Sequence, residues 1–303
     1  MGVYEEMKIL VTGGCGFIGS NVVDLLIEKG HEVVVIDNLS TGKKENLNEK
    51  ARLYMKDIRT NLKDIFEEEQ FDIVIHEAAQ INVRDSIINP IKDAEINILG
   101  TLNLIELSKK FNVSKFIFAS SGGAIYGEPE KLPCDEAHKI DPLSPYGFSK
   151  YCAEWYLRNS GLKYVILRYS NVYGPRQDPK GEAGVISIFI DNIKEGKKCF
   201  INGDGEQTRD FVFVEDVARA NLLALNKEGI FNIGTGKEIS INELFEKISK
   251  IIGKGEKEHR DAVKGEVFRI ALDISKAEKE LGWKPEVDIN KGLKMTVEYF
   301  TKK

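Results

Sequence analysis

The sequence predicts an α/β protein: a doubly wound parallel sheet joined to a smaller, mixed α/β second domain. Three observations carry that reading. Short apolar, β-branched runs recur along the first two thirds of the chain, amphipathic stretches separate them, and the pattern changes character after Gly174-Pro175. The runs Ile9-Leu10-Val11, Val33-Val34-Val35-Ile36, Ile73-Val74-Ile75, Phe116-Ile117-Phe118 and Val165-Ile166-Leu167 read as buried strands. Asn21 to Leu26 and Asn97 to Lys109 read as the helices between them. Such alternation implies right-handed βαβ units. Beyond Gly174, the glycine- and charge-rich loops Gly181-Glu182-Ala183-Gly184 and Asn202-Gly203-Asp204-Gly205 interrupt shorter elements, as expected of a separate domain. Phe211-Val212-Phe213-Val214 and the helix after it are expected to return to the first domain, and Lys254 to Arg260 to form a solvated loop.

The totals set outer bounds. A chain of 303 residues holds one large or two interlocked domains, and 42% hydrophobic with 30% charged residues is ordinary for a globular protein. A net charge of −5 and a pI near 5.6 argue against a general nucleic-acid or membrane-surface binder. No apolar run reaches bilayer length. The first strand follows at once, without a signal-peptide pattern, so a cytoplasmic protein is expected. Cys15, Cys134, Cys152 and Cys199 form no CxxC pair and His31, His76, His138 and His259 are scattered, so reduced thiols and no metal site are expected. Glutamine is scarce beside lysine and glutamate, a compositional lean towards a heat-adapted source.

The first strand runs into Thr12-Gly13-Gly14-Cys15-Gly16-Phe17-Ile18-Gly19-Ser20. Glycines 13, 16 and 19 make GxxGxxG, a variant of the Rossmann dinucleotide fingerprint. A tight turn, close backbone approach to a pyrophosphate, and a helix packed near its strand each require glycine there. The helix N-terminus then offers free N–H groups to the phosphates. A glycine pattern alone is as easily a plain turn, so context decides. The second strand ends at Asp37, 18 residues past Gly19, where a carboxylate accepts from ribose hydroxyls and repels a 2′-phosphate. NAD is therefore favoured over NADP, with Lys43 and Lys44 close enough in sequence to weigh against it.

Ser144-Pro145-Tyr146-Gly147-Phe148-Ser149-Lys150 has a good N-cap followed by proline at the first helical position. Tyr146 and Lys150, four apart, fall on one helix face with Cβ atoms about 6 Å apart. A nearby ammonium stabilises a phenolate, so Lys150, together with a cationic nicotinamide, is expected to bring the tyrosine down from its reference value near 10. Alone, such a pair is usually surface decoration; the upstream fingerprint gives it weight.

With these residues the chain resembles the extended short-chain dehydrogenase/reductase superfamily, and within it the UDP-glucose 4-epimerases and their relatives. The likeness spans nearly the whole chain. It rests on TGGCGFIGS, VIDNLSTG, KDIR at 56–59, HEAAQ at 76–80, NILGTLNL at 97–104, SSGGAIYGE at 120–128, YGFSK at 146–150, RYSNVYGPRQDP at 168–179 and NGDGEQTRDFVFVEDVA at 202–218. The resemblance implies that Gly13, Gly16, Phe17, Ile18, Gly19, Asp37, Asn38, Ser40, Gly42, Asp57, Ile58, Ala78, Ala79, Gln80, Asn97, Ser120, Tyr146, Lys150 and Tyr169 hold NAD. Tyr146 would be the acid/base, with Lys150 and Ser121 beside it. Asn171, Val185, Arg209 and Arg269 would meet a UDP-sugar. The implied reaction is a transient oxidation: Tyr146 takes the 4-hydroxyl proton, hydride passes to NAD, and the 4-keto sugar turns before hydride returns to its other face. The implied organisation is an NAD domain of 1–173 plus about 209–234, and a sugar-nucleotide domain of 174–208 plus about 235–303. The implied assembly is a homodimer through the helix near Asn97 and the helix at 145–159.

The sequence departs from that pattern in places. Relatives often place a serine or threonine where this chain has Gly122, and Ser121 is the available substitute. Gly123 and Ala124 stand where sugar-nucleotide dehydratases carry an Asp-Glu pair, which argues against elimination chemistry. Val263 stands where an arginine often pairs with the diphosphate, with Lys264 and Arg269 nearby. Ile270 falls where some epimerases carry a bulky tyrosine, which keeps N-acetyl sugars open as substrates. Other sugar-nucleotide modifiers and a non-catalytic NAD sensor are the competing readings. Cys15 and His76 read as packed residues, and Trp155 and Tyr156 as core or dimer contacts.

Overall fold

The computed structural model describes residues 6–179, 184–262 and 267–302. Its centre is a seven-stranded, wholly parallel sheet in the order β11-β6-β5-β4-β1-β2-β3. These strands are β1 (Lys8–Thr12), β2 (Glu32–Asp37), β3 (Arg52–Met55), β4 (Ile73–His76), β5 (Lys115–Ser121), β6 (Tyr164–Tyr169) and β11 (Gly229–Ile233). The chain starts mid-sheet, winds outward to β3, then crosses to β4 and winds the other way. That reversal puts a crevice at the carboxyl ends of β1 and β4, where ligands of open α/β sheets bind. Both faces are covered, so the strands are continuous apolar runs.

On one face lie α1 (Phe17–Glu28) and α9 (Val214–Ala224), packed against each other. On the other lie α2 (Lys63–Glu69), α5 (Thr101–Lys110) and α7 (Pro145–Arg158). The short α3 (Val83–Ile88) and α4 (Pro90–Ala94) lie against α7. The helix expected over 97–109 begins earlier, as a π-helical stretch Glu95–Gly100 that continues into α5. A single turn, α6 (Gly122–Ile125), follows β5.

The second lobe packs α8 (Val185–Lys194), α10 (Ile241–Ile252) and α11 (Ile289–Thr301) around Phe189, Ile190, Leu244, Phe245 and Leu293. Its strands form three pairs: β7 (Asn171–Tyr173) with β10 (Phe211–Phe213), β8 (Cys199–Asn202) with β13 (Lys257–Arg260), and β9 (Thr208–Arg209) with β12 (Ile239–Ser240). One expectation is corrected here. The strand Phe211–Phe213 pairs with β7 and forms a seam, with Phe211 and Phe213 in the second core and Val212 in the first, and α9 packs on the first core. The charged run Lys254 to Arg260 is exposed throughout and a loop only as far as Glu256: its last four residues form β13, whose backbone pairs with β8. Ala277, Leu281 and Trp283 pack back onto the large sheet's core. Among the described residues no helix is long and apolar enough to cross a membrane, and no three His, Cys, Asp or Glu gather as a metal site.

Candidate active site

The turn after β1 is built by close backbone contact. Gly13 sits at φ +72, and a Cβ on it would lie 2.7 Å from the Ala78 nitrogen; one on Gly19 would lie 2.2 Å from the Gly13 oxygen. Only glycine allows β1, α1 and the end of β4 to approach so closely. Gly16 caps α1 with no side-chain hydrogen bond, so the first-turn N–H groups of Phe17, Ile18 and Gly19 face the crevice, as a pyrophosphate requires. This glycine cradle fits a dinucleotide.

Asp37 is buried at the end of β2, accepting from the Cys15 N–H at 3.0 Å and the Leu39 N–H at 2.8 Å. It braces the glycine turn and the following loop, and each oxygen keeps a further lone pair for a ribose hydroxyl. Gly42 lies against this carboxylate. The Asn38 side-chain oxygen accepts from the Ser40 N–H, and its amide donates to Asp57 at 2.9 Å. The Arg59 fork beside Asp57 holds that carboxyl well below the usual range. Ile58 is buried and packs where Gly100 leaves room. Lys43 is paired with Asp178 at 3.5 Å, which lessens its weight as a 2′-phosphate ligand.

Beyond the end of β4, the Ala78 N–H donates to the Thr12 hydroxyl at 3.3 Å, and Gln80 is fixed by one buried side chain. Asn97 accepts from the Gln80 N–H at 2.9 Å and donates to the Gln80 carbonyl at 2.9 Å, to Asp93 at 3.0 Å and to the Ser149 hydroxyl at 3.2 Å. Ser149 in turn donates to the Tyr146 carbonyl. One asparagine in a π-helical stretch thus ties the cofactor side of β4 to α7. Such single-turn bulges recur at functional sites.

Helix α7 starts as its sequence predicts: Pro145 is the first residue and the Ser144 hydroxyl accepts from the Gly147 N–H. The Tyr146 hydroxyl is within the influence of Ser121, at the end of β5. Lys150 is buried, donating to the Ala119 carbonyl at 2.8 Å and lying over the Phe118 ring. Burial pushes Tyr146 up to about 12, Ser121 opposes that, and Asp93 adds to it. Lys150, turned onto the Ala119 carbonyl, is itself pushed down to about 8 by burial, with Glu77, Asp93 and Glu154 holding it up.

Ser120 faces away from Ser121. It donates to Glu154, which forms a buried two-armed ion pair with Arg168. This network fixes the end of β5, and so the height of Ser121. The Tyr169 hydroxyl donates to Glu77 at 2.8 Å and accepts from Asn221 at 2.8 Å. Glu77, Asp93 and Asn221 are missing from the sequence-predicted set; the available signal was a carboxylate directly after a buried strand, between His76 and Ala78. His76 is a packed residue, as read from the sequence: its ring nitrogens meet Thr12 and Thr101, and burial pushes it down to about 3. Cys15 is likewise buried, with burial pushing its thiol up to about 12.

On the other side of the crevice, the Asn171 side chain lies near Gly123, one residue beyond the Ser121-Gly122 step. Val185 opens α8 behind Gly184. Arg209 donates to the Thr208 and Phe268 carbonyls, and Arg269 forms a fork onto Glu238, so both gather around β9 and β12. Ile270 is buried with Ile125, Tyr126, Cys134 and Leu272. Val263 and Lys264 lie outside the described residues, as do Gly181, Glu182 and Ala183.

Comparison with known proteins agrees with this architecture. The model of the NAD dependent epimerase/dehydratase family matches residues 9–234. A Methanocaldococcus jannaschii protein, provisionally named a UDP-glucose 4-epimerase, is 58% identical over 300 residues, covering 96% of this chain and 97% of its own. The crystal structure of UDP-glucose 4-epimerase with UDP-glucose from Thermotoga maritima superposes with a TM-score of 0.95 at 51% identity, covering 98% and 99% of the two chains. That of the Thermus thermophilus UDP-glucose 4-epimerase with NAD superposes at 0.94 and 42% identity, covering 97% and 99%.

Proposed function

The chain belongs to the NAD dependent epimerase/dehydratase family, and from that premise we propose that it is a UDP-glucose 4-epimerase, interconverting UDP-galactose and UDP-glucose. The observation that carries the proposal is Tyr146 with buried Lys150 one turn further along α7, at the mouth of a glycine cradle shaped for a dinucleotide. The similarity to UDP-glucose 4-epimerases over nearly the whole chain supports the substrate.

In this reading Gly13, Gly16 and the first turn of α1 hold the pyrophosphate of NAD, and Asp37 the adenosine ribose. Bound NAD supplies the hydride acceptor and, when oxidised, a positive charge. Tyr146 takes the proton of the sugar 4-hydroxyl and gives it back. Ser121, donating to the tyrosine oxygen, opposes the rise that burial imposes and stabilises the phenolate. Lys150 holds the nicotinamide ribose. Asn171, Val185, Arg209 and Arg269 hold the sugar nucleotide, which the second lobe (174–208 and about 235–303) encloses against the first. Gly123 and Ala124 offer no second acid or base, which favours epimerisation over elimination.

The reading includes a cytoplasmic homodimer. All four cysteines are free thiols, in keeping with a reducing compartment. Leu99, Phe148, Trp155 and Tyr156 are exposed on the two helices named for the dimer, joined by Ile88 and Ile91 on α3 and α4. So large an apolar face needs covering.

The test is incubation of the purified protein with UDP-galactose and catalytic NAD, followed by NMR of the anomeric protons. UDP-glucose should accumulate to a fixed ratio, and a Tyr146→Phe variant should lose at least about 100-fold in turnover, as expected on removing a general base. No conversion by a protein that still binds NAD would overturn the substrate assignment and send the assay to UDP-N-acetylglucosamine.

A further inference from the structure

The residues read as substrate contacts converge on one buried carboxylate. Asp210 stands between β9 and β10, directly after Arg209, and is fully buried. Its Oδ1 accepts from the Thr235 hydroxyl at 2.6 Å and the Thr235 N–H at 2.8 Å. Its Oδ2 accepts from the Gly236 N–H at 3.0 Å and the Leu272 N–H at 3.2 Å. The Asp210 carbonyl accepts from the Asn171 N–H at 2.9 Å. A Cβ on Gly234 would lie 2.6 Å from Oδ2, so the chain leaving β11 passes directly against the carboxyl. These donors are amides and a hydroxyl, all neutral. Burial raises the carboxyl above the usual range, and the bonds from Thr235, Leu272 and Gly236 oppose that.

Asp210 thus pins together the start of β7, the β9–β10 junction, the turn after β11 and the stretch around Leu272. Each of these leads to a group of the crevice. Asn171 opens β7, with its side chain near Gly123. Arg209 closes β9, where its guanidinium donates to the Thr208 and Phe268 carbonyls. The turn after β11 runs on to Glu238, which holds the Arg269 fork. Leu272 packs on Gly122, beside Ser121. The glycine cradle and Asp37 belong to β1, α1 and β2, and among the described residues the Asp210 carboxyl makes no hydrogen bond to them. Hydrogen bonds to an ionised acceptor are the strong ones, and here they all serve one side of the crevice. We propose that Asp210 is a positioning residue for the sugar nucleotide: its carboxylate gathers Asn171, Arg209 and the chain bearing Arg269 against the Ser121 end of β5, and leaves the dinucleotide cradle to its own contacts. The inference deepens the reading that these residues hold a UDP-sugar, and rests on it.

Calorimetric titration of UDP into the NAD-saturated protein tests this apart from turnover. Asp210→Asn keeps the shape but sets a donor among donors, so part of the cluster must let go. Its Kd for UDP should rise about tenfold, while its Kd for NAD stays within about twofold of the wild type. In the turnover assay KM for UDP-galactose should rise with that Kd and kcat should change less, the mark of lost binding rather than lost chemistry. Thr235→Val removes one donor, keeps the carboxylate, and should raise the UDP Kd about threefold. An unchanged UDP Kd in Asp210→Asn with native circular dichroism overturns the inference. If that variant does not fold, an unchanged UDP Kd in Thr235→Val overturns it instead. An equal loss of UDP and NAD binding also overturns it, because that marks a general loosening of the fold. A wild type that binds NAD and not UDP overturns the sugar-nucleotide reading itself, and the inference with it, so the wild-type titration tells the two failures apart.

Discussion

Ser121 and Gly122 stand side by side at the end of β5, and the space around them explains which one carries the hydroxyl. A Cβ on Gly122 would lie 2.6 Å from Cδ1 and 3.0 Å from Cδ2 of Leu272, and 3.2 Å from the Arg168 carbonyl. Leu272 is fully buried and has little room to give way. Gly122→Ser is therefore expected to destabilise the fold by about 1–3 kcal/mol through overpacking, read as a lower midpoint in urea. Ser121→Ala should leave stability nearly unchanged and lower kcat about 10–100-fold, since a hydrogen bond to a charged oxygen contributes about 1.5–3 kcal/mol. The double variant should not recover turnover. Recovery would mean that position 122 reaches the tyrosine after all.

At the scale of elements, the exposed faces of the π-helical stretch and α7 make the clearest prediction. Leu99 is 57% exposed, Phe148 58% and Trp155 51%, on helices that pack with α3 and α4 into one layer. If this layer is the dimer face, light scattering should give twice 34.1 kDa for the wild type and 34.1 kDa for Trp155→Glu. A wild-type monomer at micromolar concentration would refute the assignment. The same elements show what the sequence could reveal. The glycine turn and the Ser-Pro start of α7 were legible because local backbone geometry demands those residues there. β11 was not: Gly229 opens it, and its core carries Asn232, a polar residue satisfied by Tyr126, Cys134, Glu136 and Asp273, partners about 40 to 105 positions away. β3 is a half-exposed edge with no clean alternation, and β13 is all charge, so neither has an apolar period to read. The site divides in the same way. Tyr146 and Lys150 are four apart on one helix, whereas Asp210 gains its meaning from Thr235 and Leu272, which only the finished fold brings to it.

For the whole molecule, the buried charges of the site work against the stability of the fold that holds them. Burial pushes Lys150 down to about 8 in the folded chain, from the ordinary value of about 10.5 that it keeps when unfolded. Below pH 8 both states are protonated, and the folded state carries the full penalty of a buried ammonium, about 3 kcal/mol. Between pH 8 and 10.5 the unfolded chain binds the extra proton, so stability rises with pH until the penalty has gone. Glu77 acts over a different window: pushed up from 4.5 to about 7, it is easier to bury neutral, and its contribution falls as pH rises through that range. Lys150→Met should therefore be more stable than the wild type at pH 7, by up to about 3 kcal/mol less whatever the lost Ala119 hydrogen bond contributed. That gain should shrink as pH climbs from 8 towards 10.5, while turnover is lost throughout. Urea unfolding of both proteins at pH 7, 9 and 10 measures the difference, and the other lysines cancel between them. A gap that does not change with pH would mean that Lys150 titrates at the same pH in the folded and the unfolded chain, and that burial on α7 imposes no penalty on its charge.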